Sequence, residues 1–265
     1  MRSWIKGLAR SGYSARGLVY VIIGFFAVLA AFGRSEAKGT EGALQALLRQ
    51  PFGTILVWLV AIGLAAFCVW RLVQAIRDTD DHGSKAKGLA IRAGLALGGL
   101  SYAAIALLAA AIAAGSRSGS EEGGSGGGDP TGGWLAAIHD AGLGWLVVYG
   151  VAAILFAVGA AHIVKGVRAG FEKYFRCSHD VMSWLRPLAR FGLIARGIVF
   201  LIVGGLIVRG GLAYEVEDRP GLAEALEAVQ GYDYGWLILL AIALGLVAFG
   251  LYSLAEARYR TVSPD

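Results

Sequence analysis

The chain has 265 residues, of which 57% are hydrophobic and 16% are charged, whereas about 25% of the residues in a soluble domain are charged. This composition excludes an ordinary soluble domain and indicates that lipid surrounds most of the chain. We attribute the net charge of +5 to one membrane face rather than to a nucleic-acid partner.

Six long apolar segments predict six transmembrane helices, because about 20 mostly apolar residues span a bilayer. In chain order, the predicted spans cover about residues 11–32, 52–75, 90–114, 142–165, 190–210 and 234–256. They divide the chain into three units of two spans each: 1–87, 88–182 and 183–265. The Gly/Ser-rich residues 115–133 predict a flexible outer loop in the second unit.

Basic residues set the expected orientation. Of the 24 Lys and Arg residues, 18 lie at the two termini and in the second and fourth loops, and 6 lie on the other side. Because positive charge resists translocation, we expect both termini in the cytoplasm. The basic face suits anionic lipid head groups, which we expect as partners.

One two-helix unit recurs three times. Its first span opens with Arg-x-Gly-(Tyr/Leu)-x3-Gly-(Leu/Ile)-x-aromatic, a motif that begins at Arg10, Arg92 and Arg190. The returning spans open 91 residues apart, at Gly53, Gly144 and Gly235. Short segments before them predict amphipathic outer-face helices at 43–47, 134–138 and 225–229. Two-span units share one orientation, so we expect an all-α fold of three parallel repeats around a pseudo-threefold axis.

The segments Arg10–Tyr20, Arg190–Phe200 and Tyr252–Arg260, with the Gly-Trp-Leu starts of the last two returning spans, are shared motifs. They resemble a bacterial family of uncharacterised six-helix membrane proteins, defined by a domain of unknown function in three tandem two-helix copies. The resemblance covers nearly the whole chain and implies a bacterial cytoplasmic (inner) membrane protein. It implies no activity or cofactor.

Arg16 and Arg196 occupy equivalent motif positions, where the middle copy has Gly98. If the fifth span ended at Val208, Arg196 would lie about 12 Å inside a hydrocarbon core of about 30 Å. If the helix continued to Tyr214, Arg196 would snorkel to the interface, as we expect of Arg16. Anchoring at the interface is the favoured interpretation, and a buried or anion-contacting pair is the alternative.

Arg10, Arg92 and Arg190 lie at helix starts, where an Arg opposes the helix dipole. Each therefore needs a partner, either a lipid phosphate or the carbonyl groups of a neighbouring repeat. The sequence favours neither.

Arg71, His162 and Ser253 are spaced by 91 residues, near the ends of the returning spans. One polar residue per repeat at one depth predicts a candidate polar ring at the cytoplasmic end. The adjacent Trp70 and Tyr252 equally fit an interfacial aromatic belt.

The middle thirds of the spans contain no Asp, Glu, Lys, Arg or His, which disfavours proton- or sodium-coupled transport. Catalytic motifs and metal-ligand spacings are absent from the sequence, so we expect no enzyme, metal or cofactor. Gly94 and Gly98 form a small-x3-small face that predicts close helix packing. The leading hypothesis is a non-catalytic scaffold or accessory subunit that contacts lipid or another membrane protein. The alternative is a channel or uncoupled transporter with a path along the pseudo-threefold axis.

Overall fold

The computed structural model describes residues 2–33, 38–115, 144–212, 226–227, 229 and 234–261. Its helices are α1 (Arg2–Ala31), α2 (Thr40–Leu48), α3 (Gly53–Arg77), α4 (Ala86–Ala113), α5 (Gly144–Val167), α6 (His179–Leu212) and α7 (Gly235–Tyr259). All of these except α2 contain a segment long and apolar enough to cross a membrane, which confirms the prediction of six spans. The described residues form no regular strand.

Two helices extend well beyond their predicted spans. α1 begins at Arg2 and α6 begins at His179, whereas the predicted spans began near residues 11 and 190. Hydropathy marks only the apolar part of a helix, and the polar turns before it continue the same backbone hydrogen bonding. Each of these two apolar spans is therefore part of a longer helix, whose additional polar turns lie at the basic end of the bundle.

A short helix forms at the first predicted outer segment, where α2 buries Ala43, Leu44, Ala46 and Leu47. Of the third predicted segment, Leu226, Glu227 and Val229 are described, and Leu226 and Val229 are buried while Glu227 is exposed. The second segment at 134–138 and the predicted loop beyond Gly115 lie outside the described residues.

Consecutive spans are neighbours in space except for α4 and α5, and α7 returns to α1. α1 packs between α3 and α7. Beyond them, α3 also packs on α4, α7 also packs on α6, and α6 packs on α5. In the described part of the chain, α4 and α5 share no extended contact, and these two are the least buried spans. Arg196 in α6 still reaches the hydroxyl group of Tyr102 in α4, at 3.1 Å, so the row of helices curves back on itself. We call the opening between α4 and α5 the seam.

Glycines allow close backbone approach where the spans do pack. A Cβ atom on Gly17 would lie 2.9 Å from the carbonyl oxygen of Gly250, across the interface of α1 and α7. A Cβ atom on Gly197 would lie 2.7 Å from the carbonyl oxygen of Gly159, across α6 and α5. Only glycine permits these contacts without a shift of one helix, which is how small residues promote association in lipid.

The same close contact occurs inside the first unit and inside the third unit. A Cβ atom on Gly12 would lie 2.5 Å from the Cβ of Phe67, and one on Gly192 would lie equally close to the backbone of Phe249. The corresponding Gly94 faces open space, as does Gly98, because α5 does not pack against this part of α4. The predicted close packing at these two glycines is therefore wrong.

Candidate functional site

Arg16 lies inside the bundle, with 2% of its surface exposed. One Nη atom donates to the carboxylate of Glu256, and Nε donates to Ser253 Oγ at 3.1 Å. Both partners belong to α7, so the side chain joins the first and last spans of the chain. The snorkelling expected for Arg16 is wrong, because buried partners take the place of interfacial water.

Three aromatic rings surround the Arg16 guanidinium. It lies 5.0 Å from the ring centre of Tyr13, 4.8 Å from that of Phe67 and 5.1 Å from that of Phe249. Tyr13 is held in turn by the indole N–H of Trp70, which donates to its hydroxyl oxygen at 3.3 Å. The faces of aromatic rings attract a cation, so these contacts offset part of the cost of removing Arg16 from water.

Glu256 is the centre of a wider polar network. Its carboxylate accepts hydrogen bonds from Tyr252 at 3.1 Å and from Arg260 at 2.9 Å, in addition to the bond from α1. Arg260 also reaches Asp80 at 3.0 Å, and Asp80 accepts a hydrogen bond from Gln74 at 3.0 Å. The network joins α1, α3, α7 and the loop after α3.

Backbone pairing brings the end of α7 to the α5–α6 connection. The N–H of Thr261 donates to the carbonyl of Tyr174 at 2.8 Å, and the N–H of Arg176 donates to that of Tyr259 at 2.9 Å. The loop after α3, the α5–α6 connection and the end of α7 therefore meet at one end of the bundle.

Asp78 stabilises the loop after α3. Its carboxylate accepts hydrogen bonds from the backbone N–H of His82 at 2.8 Å and of Gly83 at 2.6 Å. The His82 N–H, together with that of Gly83, holds the pKa of Asp78 below its usual value, because both bonds favour the charged carboxylate.

Arg196 is the counterpart of Arg16, but its partners differ. It is 9% exposed and donates through one Nη to Tyr102. Its guanidinium lies 4.8, 5.1 and 4.4 Å from the ring centres of Tyr20, Phe200 and Phe249. Its Nε is buried without a hydrogen-bond partner among the described residues. The Arg196 side chain also forms no ion pair with a described residue.

The described part of α6 also fixes the position of Arg196 along the helix. α6 continues past Val208 at least to Leu212, the last described residue of this stretch, so Arg196 lies at least about 24 Å from the end of the helix at 1.5 Å per residue. The alternative in which the helix ends at Val208 is therefore wrong, and Tyr214, the end in the other alternative, lies outside the described residues.

The other predicted arginines occupy different environments. Arg92 donates to the carbonyl oxygens of Ala75 at 2.6 Å and Ile76 at 2.9 Å, at the C-terminal end of α3. It thus contacts carbonyl groups of the neighbouring unit, which was one of the two partners considered. Arg10 and Arg190 are exposed.

The three residues of the predicted polar ring each make a separate contact. Arg71 donates to Gln74 at 3.3 Å, and Ser253 accepts from α1 while donating to a carbonyl group of its own helix. Nδ1 of His162 lies 2.8 Å from the carbonyl oxygen of Val158. No direct bond joins the three among the described residues. The ring remains a prediction.

The aromatic-belt interpretation of Trp70 and Tyr252 is wrong. Each is 1% exposed, and each gives its polar hydrogen to a buried oxygen atom. Tyr252 belongs to the polar network of Glu256, and Trp70 holds Tyr13, one of the rings around Arg16.

Sequence reasoning missed a second set of polar residues with the same spacing. Gln74, Lys165 and Glu256 are 91 residues apart, and each lies three residues after a member of the predicted ring. The same comparison of returning spans would have found them, had it continued for one more helical turn.

The charged side chains around Glu256 carry more positive than negative charge. Lys165 lies within electrostatic range of Glu256, Arg260, Arg71 and Arg16. We define the charged cluster as five cationic and two anionic side chains: Arg16, Arg71, Lys165, Arg196, Arg260, Asp80 and Glu256. An excess of cationic side chains attracts anions. Groups of three His, Cys, Asp or Glu residues able to hold a metal ion do not occur in the described part of the chain.

These features define a multi-pass α-helical membrane protein with a partly buried, arginine-rich cluster. The family model described as Domain of Unknown Function (DUF1206) matches residues 11–78 and 191–260. "Uncharacterized protein YxxB" of Bacillus subtilis (strain 168) is 33% identical over 266 residues, which cover 98% of this chain and 92% of that protein. The chain belongs to the DUF1206 family. The two matched stretches correspond to the first and third predicted units, and no solved structure matches the chain.

Proposed function

We propose that this protein is a non-catalytic membrane scaffold or accessory subunit that contacts lipid and another membrane protein. The observation that carries the proposal is the enclosure of Arg16 by Glu256, Ser253 and three aromatic rings. A side chain fixed in this way connects helices and fills the space between α1, α3 and α7. Such an interior favours a static support over a path for solutes.

We also propose that three parallel repeats surround a pseudo-threefold axis. Support comes from equivalent interfaces between units: Gly17 with Gly250, Gly197 with Gly159, and Gly99 with Cys68. In the third of these, a Cβ atom on the glycine would lie 3.4 Å from the carbonyl oxygen opposite. A further parallel is the left-handed backbone of Phe52 and Tyr234, which directly precede α3 and α7.

The proposed location is the bacterial cytoplasmic membrane, with both termini in the cytoplasm. The unequal distribution of basic residues supports this orientation. It is compatible with the meeting of the end of α7 and the α5–α6 connection at one end of the bundle.

A channel or uncoupled transporter is the second candidate. The observation in its favour is that polar side chains from all three units, Gln74, Lys165 and Glu256, belong to the polar network of Glu256 or lie within its electrostatic range. In that case, water would reach the interior between the helices when the path opened.

Cysteine accessibility separates the two candidates. The native cysteines, both unpaired, are first replaced. Single substitutions then follow at Arg71, His162 and Ser253, and at the buried, equivalent positions Leu64 and Leu246 deeper in α3 and α7. The scaffold proposal expects a membrane-impermeant thiol reagent to leave both deep positions unlabelled in vesicles. Labelling of Leu64→Cys and Leu246→Cys in folded protein would overturn it and favour the transport candidate.

A further inference from the structure

The middle unit differs from the other two at the place where the charged cluster approaches the seam. α4 and α5 share no extended contact among the described residues, although their counterparts in the other units pack together. Gly98 replaces the motif arginine, and a Cβ atom there would meet nothing within 4 Å. The seam therefore combines a missing helix contact with a missing side chain.

Unsatisfied positive charge lies beside this opening. Arg196 is bonded to Tyr102 of α4, so its guanidinium lies next to the helix that borders the seam. Its Nε has no hydrogen-bond partner in the described structure, and its other neighbours are aromatic rings. His162 of α5, on the other side of the seam, lies within electrostatic range of Arg196 and Lys165.

The two carboxylates of the charged cluster are engaged elsewhere. Glu256 bonds with Arg16 and Arg260, and Asp80 bonds with Arg260 and Gln74. Neither carboxylate is an ion-pair partner of Arg196. An anion from outside the chain would supply the missing acceptor, and a guanidinium recognises a phosphate group through charge-assisted hydrogen bonds.

We propose that the seam binds the phosphate group of an anionic phospholipid, with Arg196 as its principal contact. The seam opens between two membrane spans, so a lipid can enter it sideways while its acyl chains stay in the bilayer. Exposed apolar residues such as Leu97 and Ile154 on α4 and α5 provide surfaces for those chains. A free phosphate ion offers the same head-group chemistry without this apolar part.

The proposal names a ligand of the scaffold and rests on the proposed function only in requiring a folded chain in lipid. A failure of this proposal can be told apart from a failure of the proposed function, because a lipid-binding measurement does not report water access to the bundle interior.

The test measures lipid binding to the purified full chain in detergent. Phosphatidylglycerol, phosphatidylcholine and inorganic phosphate are titrated in parallel, with native mass spectrometry and the thermal midpoint as readouts. We expect phosphatidylglycerol to bind and stabilise the protein at concentrations where phosphatidylcholine does not. Equal binding of both lipids would overturn the proposal. Stabilisation by inorganic phosphate at the same concentration would overturn the proposal that the bound phosphate group belongs to a lipid, and it would assign the site to the free ion.

Three variants localise the binding. Arg196→Gln removes the guanidinium and is expected to weaken phosphatidylglycerol binding by about tenfold, because one charge-assisted hydrogen bond is lost. Gly98→Leu fills the seam and is expected to reduce binding by at least as much, without touching Arg196. Gly150→Leu is the matched control, since it also adds a side chain to open space on a span, towards the other end of α5. Unchanged binding by folded Gly98→Leu, or equal losses in Gly98→Leu and Gly150→Leu, would overturn the assignment to the seam.

Discussion

Glu256→Gln is the most informative single substitution in the charged cluster. It keeps the shape of the side chain but removes the negative charge that the cluster shares between Arg16 and Arg260. The Glu256 and Arg16 side chains are each 3% exposed, so water cannot replace the lost charge without opening the bundle. Removing one partner of a buried ion pair costs about 3–5 kcal/mol, and we expect a loss of unfolding free energy in that range.

The assay is reversible unfolding in mixed micelles, with the free energy of unfolding obtained by titration with a denaturing detergent. Glu172→Gln is the matched control, because Glu172 pairs with Arg186 at 2.5 Å while the two side chains are 29% and 53% exposed. An exposed pair contributes at most about 1 kcal/mol, so this control is expected to lose no more than that. Equal losses for the two variants would refute the view that Glu256 stabilises the interior through burial.

Three further substitutions test other parts of the fold by the same unfolding measurement. Gly17→Ala places a methyl group 2.9 Å from a carbonyl oxygen of α7 and is expected to lower the free energy of unfolding by about 1–3 kcal/mol. Its control, Gly98→Ala, adds a methyl group in open space and is expected to leave that free energy unchanged or to raise it by up to about 1 kcal/mol. Equal effects would contradict the close approach of α1 and α7. Arg92→Gln removes two hydrogen bonds to the end of α3 and is expected to cost about 1–3 kcal/mol, against less than about 0.5 kcal/mol for the exposed Arg190→Gln. A cost for Arg92→Gln as small as that of its control would contradict the contact. Because backbone N–H donors hold the pKa of Asp78 below its unfolded value of about 3.9, its contribution to stability is present above that pH and is lost as the pH falls through the folded-state pKa. Asp78→Asn is therefore expected to flatten the loss of stability on acidification below about pH 4, and identical acid profiles would contradict the assignment.

The spans were predictable because length and hydropathy directly reflect the thickness of a bilayer. The spacing of 91 residues was equally visible, since it needs only the comparison of one returning span with the next. The actual ends of α1 and α6 were not, because their first turns are polar and carry no hydropathy signal. A short interfacial segment such as α2 was predictable from its helical periodicity.

The environment of Arg16 was not predictable from local sequence. Its partner Glu256 lies 240 residues away, and nothing near Arg16 indicates that α7 is the adjacent helix. The snorkelling rule treats a span as if it faced lipid alone, whereas a buried face can supply both a carboxylate and aromatic rings. Pairing each polar residue of one unit with those of the next would have indicated such a contact.

The divergence of the middle unit has a physical rationale under the proposed pseudo-threefold arrangement. A third arginine at the position of Gly98 would bring another positive charge into an interior where Arg16 already has a carboxylate and Arg196 does not. Like charges repel strongly where the effective dielectric constant is low, so a glycine at this position limits the cost of the cluster. The same glycine leaves space on α4 that a side chain would otherwise fill. Gly98 thus both omits a charge and leaves space beside the seam, whereas the two units matched by the family model retain the arginine and the packed helix pair.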